Sequence, residues 1–176
     1  MSVKINYSKI KISKSSSNLI LFSNDEFRIN ALKKYLTNSE YNYINDLLKT
    51  SDLKKNLFIF EVNSKKKIVL LSIKKKLKSS DIEKLGAELY GRITSEKNSE
   101  YFIISDSVDT NYNNFLGYFL HGLKLKSYEF KKYKTKNKDK IISINITGNK
   151  NKPSNQTKLK FKALEEGTFY ARDLVS

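Results

Sequence analysis

The chain has 176 residues, a formal net charge of +16 and no cysteine. That length fits one domain with its own core. The absence of cysteine excludes a disulfide framework, a Cys-ligated zinc site and a thiol nucleophile. No apolar run approaches the ~20 residues that span a bilayer, and the N-terminus has no apolar stretch of signal-peptide length. A cytoplasmic protein without membrane contact is expected.

In chain order, residues 1–17 are polar with alternating Ile, as in Lys9-Ile10-Lys11-Ile12, which predicts an edge strand and then a Ser-rich turn. Residues 18–22 (NLILF) predict a buried strand, and 26–50 one or two irregular helices. Residues 57–62 (LFIFEV) and 67–73 (KIVLLSI) predict a hairpin closed by a lysine-rich turn. Ser80-Asp81 offers an N-cap, and Ile82, Leu85, Leu89 and Ile93 follow at helical spacing. Residues 101–105 (YFIIS) predict a strand, with a turn or cap at 109–111. Tyr112, Phe115, Leu116, Phe119, Leu120 and Leu123 then form the apolar stripe of a helix. Gly117 and Gly122 cost that helix ~1 kcal/mol each against Ala, and small residues there permit close packing on the sheet. Residues 140–146 (KIISINI) predict a last strand. A loop with the single proline, Pro153, follows, and Leu159, Ala163, Gly167, Tyr170 and Leu174 mark a long terminal helix. Alternation of strands and helices from residue 57 onward predicts an α/β sandwich with a mixed, mostly parallel sheet.

Of the 34 basic residues only Arg28, Arg92 and Arg172 are arginine. Arginine makes most bidentate contacts to bases and phosphates, so this charge reads as diffuse compositional bias more than as a built nucleic-acid site. A polyanion-binding face remains open for 124–140, where Lys124, Lys126, Lys131, Lys132, Lys134 and Lys136 cluster.

No active site is legible in these residues. His121 is the single histidine and lies in an apolar helical stripe, which predicts a packing role and leaves no two-His metal motif. Asp106 and Asp109 follow a strand and could form a site, but turn formation and capping of the next helix are expected of them. None of the six glycines falls in a phosphate-binding or nucleophile-elbow pattern. The turn Lys74-Lys75-Lys76 could attract an anion but lacks the glycines that let backbone N–H groups close around a phosphate.

Two stretches carry a resemblance. Gly122, Leu123, Leu125, Ser127, Tyr128, Phe130, Tyr133, Lys134 and Thr135 match a pattern in which a helix end runs into Ser-Tyr-x-Phe-x-x-Tyr-Lys-Thr. Some 30 residues on, Ala163, Gly167, Ala171, Arg172, Asp173, Leu174 and Val175 match a linker-helix pattern. Together, in this order, they resemble the N-terminal domain of leucyl aminopeptidases. The strand at 67–73 and the following helix are also similar, except that the family's Gly-Leu-Gly-Lys turn is replaced by Ser72-Ile73-Lys74.

The resemblance implies a macro-domain-like three-layer α/β sandwich over 1–154, then a linker helix over 155–176 leading to a separate C-terminal catalytic domain. That second domain would hold two divalent metal ions, zinc or manganese, for hydrolysis of N-terminal peptide bonds. This chain would then be a non-catalytic truncated portion with no metal or cofactor of its own. Arg172 and Asp173 would contact the other domain and be unpaired without it. The whole enzyme would be a homohexamer and this chain a monomer or weak oligomer. Three roles stay open: shaping access to the catalytic site, holding a polyanion, or binding a small ligand in a macro-type pocket.

Overall fold

A computed structural model describes residues 2–7, 12, 17–94, 100–128 and 141–175. Six strands form one sheet: β1 (Ser2–Asn6), β2 (Asn18–Asn24), β3 (Leu57–Asn63), β4 (Lys66–Ile73), β5 (Glu100–Ile104) and β6 (Ile141–Thr147). Their spatial order is β1-β6-β5-β2-β4-β3. Every neighbouring pair is parallel except β3 with β4, which form the predicted antiparallel hairpin. The run Leu19-Ile20-Leu21-Phe22 is buried on both sides, as a central parallel strand must be when helices cover both faces. β1 lies at the edge, as expected, although the Ile–Lys alternation at 9–11 is outside the described residues.

One face carries a 3-10 turn over Asn30–Tyr35 and helix α1 (Asn38–Thr50), packed on Leu19, Leu21, Ile68 and Leu70. The other face carries α2 (Ser79–Ile93) and α3 (Phe115–Lys126), packed on Ile20, Phe22, Val69 and Leu71. The period-two alternation of the strands splits their side chains between these two cores. Helix α4 (Asn155–Val175) packs against α3.

α1 opens with a capping box: Glu40 N–H donates to Thr37 Oγ1 and Thr37 N–H to the Glu40 carboxylate. The second Glu40 oxygen takes Lys66 Nζ at 2.6 Å, with Lys66 only 1% exposed. This buried ion pair pins the α1 layer to the start of β4. A polar brace crosses the sheet where Asn6 Nδ2 donates to Asn145 Oδ1 and Asn145 Nδ2 to Glu100 Oε1.

Three local expectations are corrected. α2 begins two residues early: Lys78 holds the N-cap position and its N–H donates to Asp81 Oδ2, so Asp81 caps from the third helical position. α3 begins after Asn114, which takes a left-handed φ of 58° that Asn tolerates, rather than at 109–111. The glycines of α3 serve helix contacts, not the sheet. A Cβ at Gly122 would lie 2.0 Å from Glu83 O of α2, and one at Gly86 would lie 1.9 Å from Phe119 O of α3. Gly117 instead makes room for Phe161 and Thr157 of α4.

Candidate functional site

Two regions gather chemically distinctive side chains: the seat and outer face of α4, and the cleft at the carboxyl ends of the parallel strands.

α4 is started by Ser154, whose Oγ accepts from Thr157 N–H at 3.1 Å. Phe161 drops into the gap left by Gly117, edge-on to Tyr118 with ring centroids 5.1 Å apart and beside His121 at 4.8 Å. His121 is buried, and its Nδ1 lies 3.3 Å from Glu165 Oε1, so it packs between α3 and α4 and joins them by a polar contact. Tyr7 lies at the same junction under Lys158, whose Nζ stands 3.8 Å from the ring centre. Desolvation, with the Glu165 charge adding to it, pushes the Tyr7 phenol up to about 12.

At the far end, Phe169 stacks on Tyr128 at 5.0 Å. Arg172 Nη1 donates to Leu125 O at 2.9 Å, and its guanidinium lies 5.4 Å from the Tyr128 ring centre. Tyr128 donates its hydroxyl to Asp173, and that bond raises the phenol above its ordinary pKa. The expectation that Arg172 and Asp173 stand unpaired is therefore corrected: both are tied to the end of α3 in their own chain.

Successive residues of a helix turn by about 100°. Thr157, Phe161, Glu165 and Arg172 thus share the inner face, and Leu159, Ala163, Gly167, Tyr170 and Leu174 fall on the opposite one. Leu159, Tyr170 and Leu174 are 68%, 67% and 68% exposed. Gly167 has nothing within 4 Å of where a Cβ would sit. The apolar stripe read from the sequence is real, but α4 docks by its other side.

Of the lysines in the 124–136 run, the two among the described residues point different ways. Lys124 Nζ donates to Val3 O at 2.6 Å, anchoring α3 to the edge strand. Lys126 lies two residues on, about 200° around the helix, exposed beside a groove with Lys84 and Arg172. Lys131, Lys132, Lys134 and Lys136 lie outside the described residues.

Beyond the carboxyl ends of β2, β5 and β6 is a cleft of about 510 Å³ lined by Asn24, Arg28, Lys34, Asp106, Lys150 and Asn151, among others. Such a crevice is where open α/β sheets bind ligands. Asp106 does not cap the next helix: its Oδ1 accepts from Asn149 N–H at 2.8 Å and Lys150 N–H at 2.6 Å, in the loop before α4. Phe27 enters the cleft's first loop with φ of 51°, which bulky side chains rarely adopt. Among the described residues no group of three or more His, Cys, Asp and Glu side chains could hold a metal ion, and no helix is long and apolar enough to cross a membrane.

No protein-family profile and no curated protein matches the chain. A solved structure does: a mutant of tomato leucine aminopeptidase. The likeness covers 93% of this chain and 36% of the tomato chain, with a TM-score of 0.61 and 16% identity. At that identity it shows a shared fold, and this chain spans about a third of the tomato enzyme's length.

Set beside the tomato enzyme, the α/β architecture and terminal helix expected from the two resembling stretches are present. Sequence reasoning raised Asp106 and Asp109 as a possible site but preferred a turn and capping role for them, and it missed the rest of the strand-end cleft. Its signal was available: Asp106 follows directly on the predicted strand 101–105 and Gly148 comes two residues after the predicted strand 140–146, where residues of a parallel sheet line the crevice. What Asp106 contacts, 43 residues away, had no local signal.

Proposed function

We propose that this chain is the N-terminal, non-catalytic part of a leucyl-aminopeptidase-like enzyme, with α4 as the joint to a catalytic domain. The observation that carries the reading is the second apolar face of α4. Three large side chains, each worth about 1.5–3 kcal/mol on full burial, stand in solvent along one side of a helix whose opposite side is already packed. Gly167 sits in the middle of that face with no close neighbour, although glycine there costs ~1 kcal/mol against Ala. A covering domain that approaches the backbone accounts for both. The fold shared with part of tomato leucine aminopeptidase supports the same assignment. Arg172 and Asp173 act through Tyr128 and Leu125, setting the angle at which α4 leaves the domain and hence where its outer face is presented.

In this reading the chemistry is hydrolysis of N-terminal peptide bonds, assisted by two divalent ions that polarise the carbonyl and activate water. On the same reading zinc or manganese is held by the other domain, and no step is assigned to side chains here. The role of this domain is to shape access to the site, and assembly into a homohexamer rests on the partner domain. The test is the natural reading frame. It is expected to continue past codon 176 for roughly 300 residues, about two domain lengths, and to encode a lysine- and carboxylate-rich metal site. A frame closing at Ser176 sinks the proposal.

A further inference from the structure

We infer that the turn at 148–151 is an anion-binding nest held shut by the protein's own Asp106. Two successive backbone N–H groups, of Asn149 and Lys150, converge on one carboxylate oxygen at 2.8 and 2.6 Å. Consecutive N–H groups aimed at one point are the donor arrangement that binds phosphoryl and similar anions elsewhere. The turn is shaped for it. Gly148 has φ of 114°, and a Cβ there would stand 3.0 Å from the Asp106 carboxyl and 2.4 Å from Ser105 Oγ, so only glycine lets the anion sit this close. At the other end Asn151 has φ of 60°.

The nest does not depend on Asp106 for its form. Asn151 Nδ2 donates to Ser105 O at 3.2 Å and to Val108 O at 2.8 Å, clamping the turn to the β5 loop independently. The backbone donors, not net charge, select the ligand, because the charges around the cleft balance. Arg28, Lys34 and Lys150 line the same cleft, opposed by Asp106 and Asp109, with Glu26 paired to Arg28. Asp106 is thus a tethered anion. Its attachment gives it a high effective concentration at the donors, so a free anion enters only by displacing it. The ligand class is a phosphoryl-type oxyanion, and the contact is autoinhibitory. This inference concerns a different part of the fold from α4 and stands or falls separately from the aminopeptidase reading.

The experiment titrates inorganic phosphate into the full chain and into Asp106→Ala and Asp106→Asn, following backbone amide resonances. Asp106→Ala is expected to bind phosphate at least about tenfold tighter than the native chain, because the competitor loses two charge-assisted hydrogen bonds and one alone is worth about that factor. The responding resonances should be Asn149 and Lys150. Asp106→Asn keeps a neutral oxygen over the donors and should fall between the two, which also provides a reading if the alanine variant fails to fold. Equal phosphate affinity in the native chain and the folded variants overturns the inference. So does a response confined to exposed lysines with the 149 and 150 amides unmoved.

Discussion

Glycines in this chain do opposite things according to what lies beside them. Gly122 and Gly86 let α2 and α3 cross with backbone against backbone, where an added methyl meets a carbonyl oxygen at about 2 Å. Gly122→Ala is therefore expected to destabilise by at least the 1–3 kcal/mol of an overpacked core, read from urea unfolding. Gly167→Ala has open space around it and should stabilise the chain by up to ~1 kcal/mol; a destabilising result would place an undetected neighbour there. Tyr7 gives a pH signature. Its folded pKa is raised to about 12 from an ordinary value of 10.0. The folded state thus holds its proton longer than the unfolded chain, so its contribution to stability is complete below pH 10 and fades as pH rises through about 12. A tyrosinate absorbance titration should lose a component ionising well above the ordinary tyrosine range in Tyr7→Phe, and Glu165→Gln should move that component to lower pH.

At the scale of elements, one attachment holds α1 to the sheet and another holds α4 to α3. α1 is pinned through the buried Glu40–Lys66 pair, and Glu40→Ala leaves a buried ammonium without its carboxylate. The expected loss is about 3–5 kcal/mol in unfolding free energy, well beyond what an exposed ion pair such as Lys49–Asp46 would give. α4 is held by its inner face alone. Phe161→Ala should cost about 3–5 kcal/mol. Tyr170→Lys with Leu174→Lys, on the outer face, should leave stability within ~0.5 kcal/mol while abolishing any self-association detected by ultracentrifugation. If the outer-face pair unfolds the protein instead, α4 docks by the side here described as free. The element order was largely legible beforehand, because apolar periodicity records which face of each strand and helix is covered. α4 shows the limit: with apolar residues on both sides, spacing reveals a helix but cannot say which side meets its own domain.

For the whole molecule, the charge of +16 makes binding to polyanions general but gives it no address. Lys124 is committed to a backbone carbonyl and Lys126 faces another way, so the described lysines of that run form no single face. DNA binding measured across salt concentration should fall steeply on a log–log plot and show no preference between sequences. A sequence preference that persists at ~150 mM salt would demand a built site. The strand-end cleft, by contrast, is a property of the assembled sheet, since its lining comes from the loops after β2, β5 and β6.

The sequence by itself determined the α/β class, the hairpin, the order of strands and helices, and the absence of any thiol chemistry. These depend on local periodicity and composition, which short-range sterics and burial translate directly. Only the tertiary structure decided which face of α4 is free, that Arg172 and Asp173 are tied to Tyr128 and Leu125, that Lys124 and Lys126 point apart, and that Asp106 closes on the 148–151 turn. Each of those joins residues some 40 or more positions apart or compares two faces of one helix, and their meeting is fixed by how the layers pack rather than by any local preference of the chain.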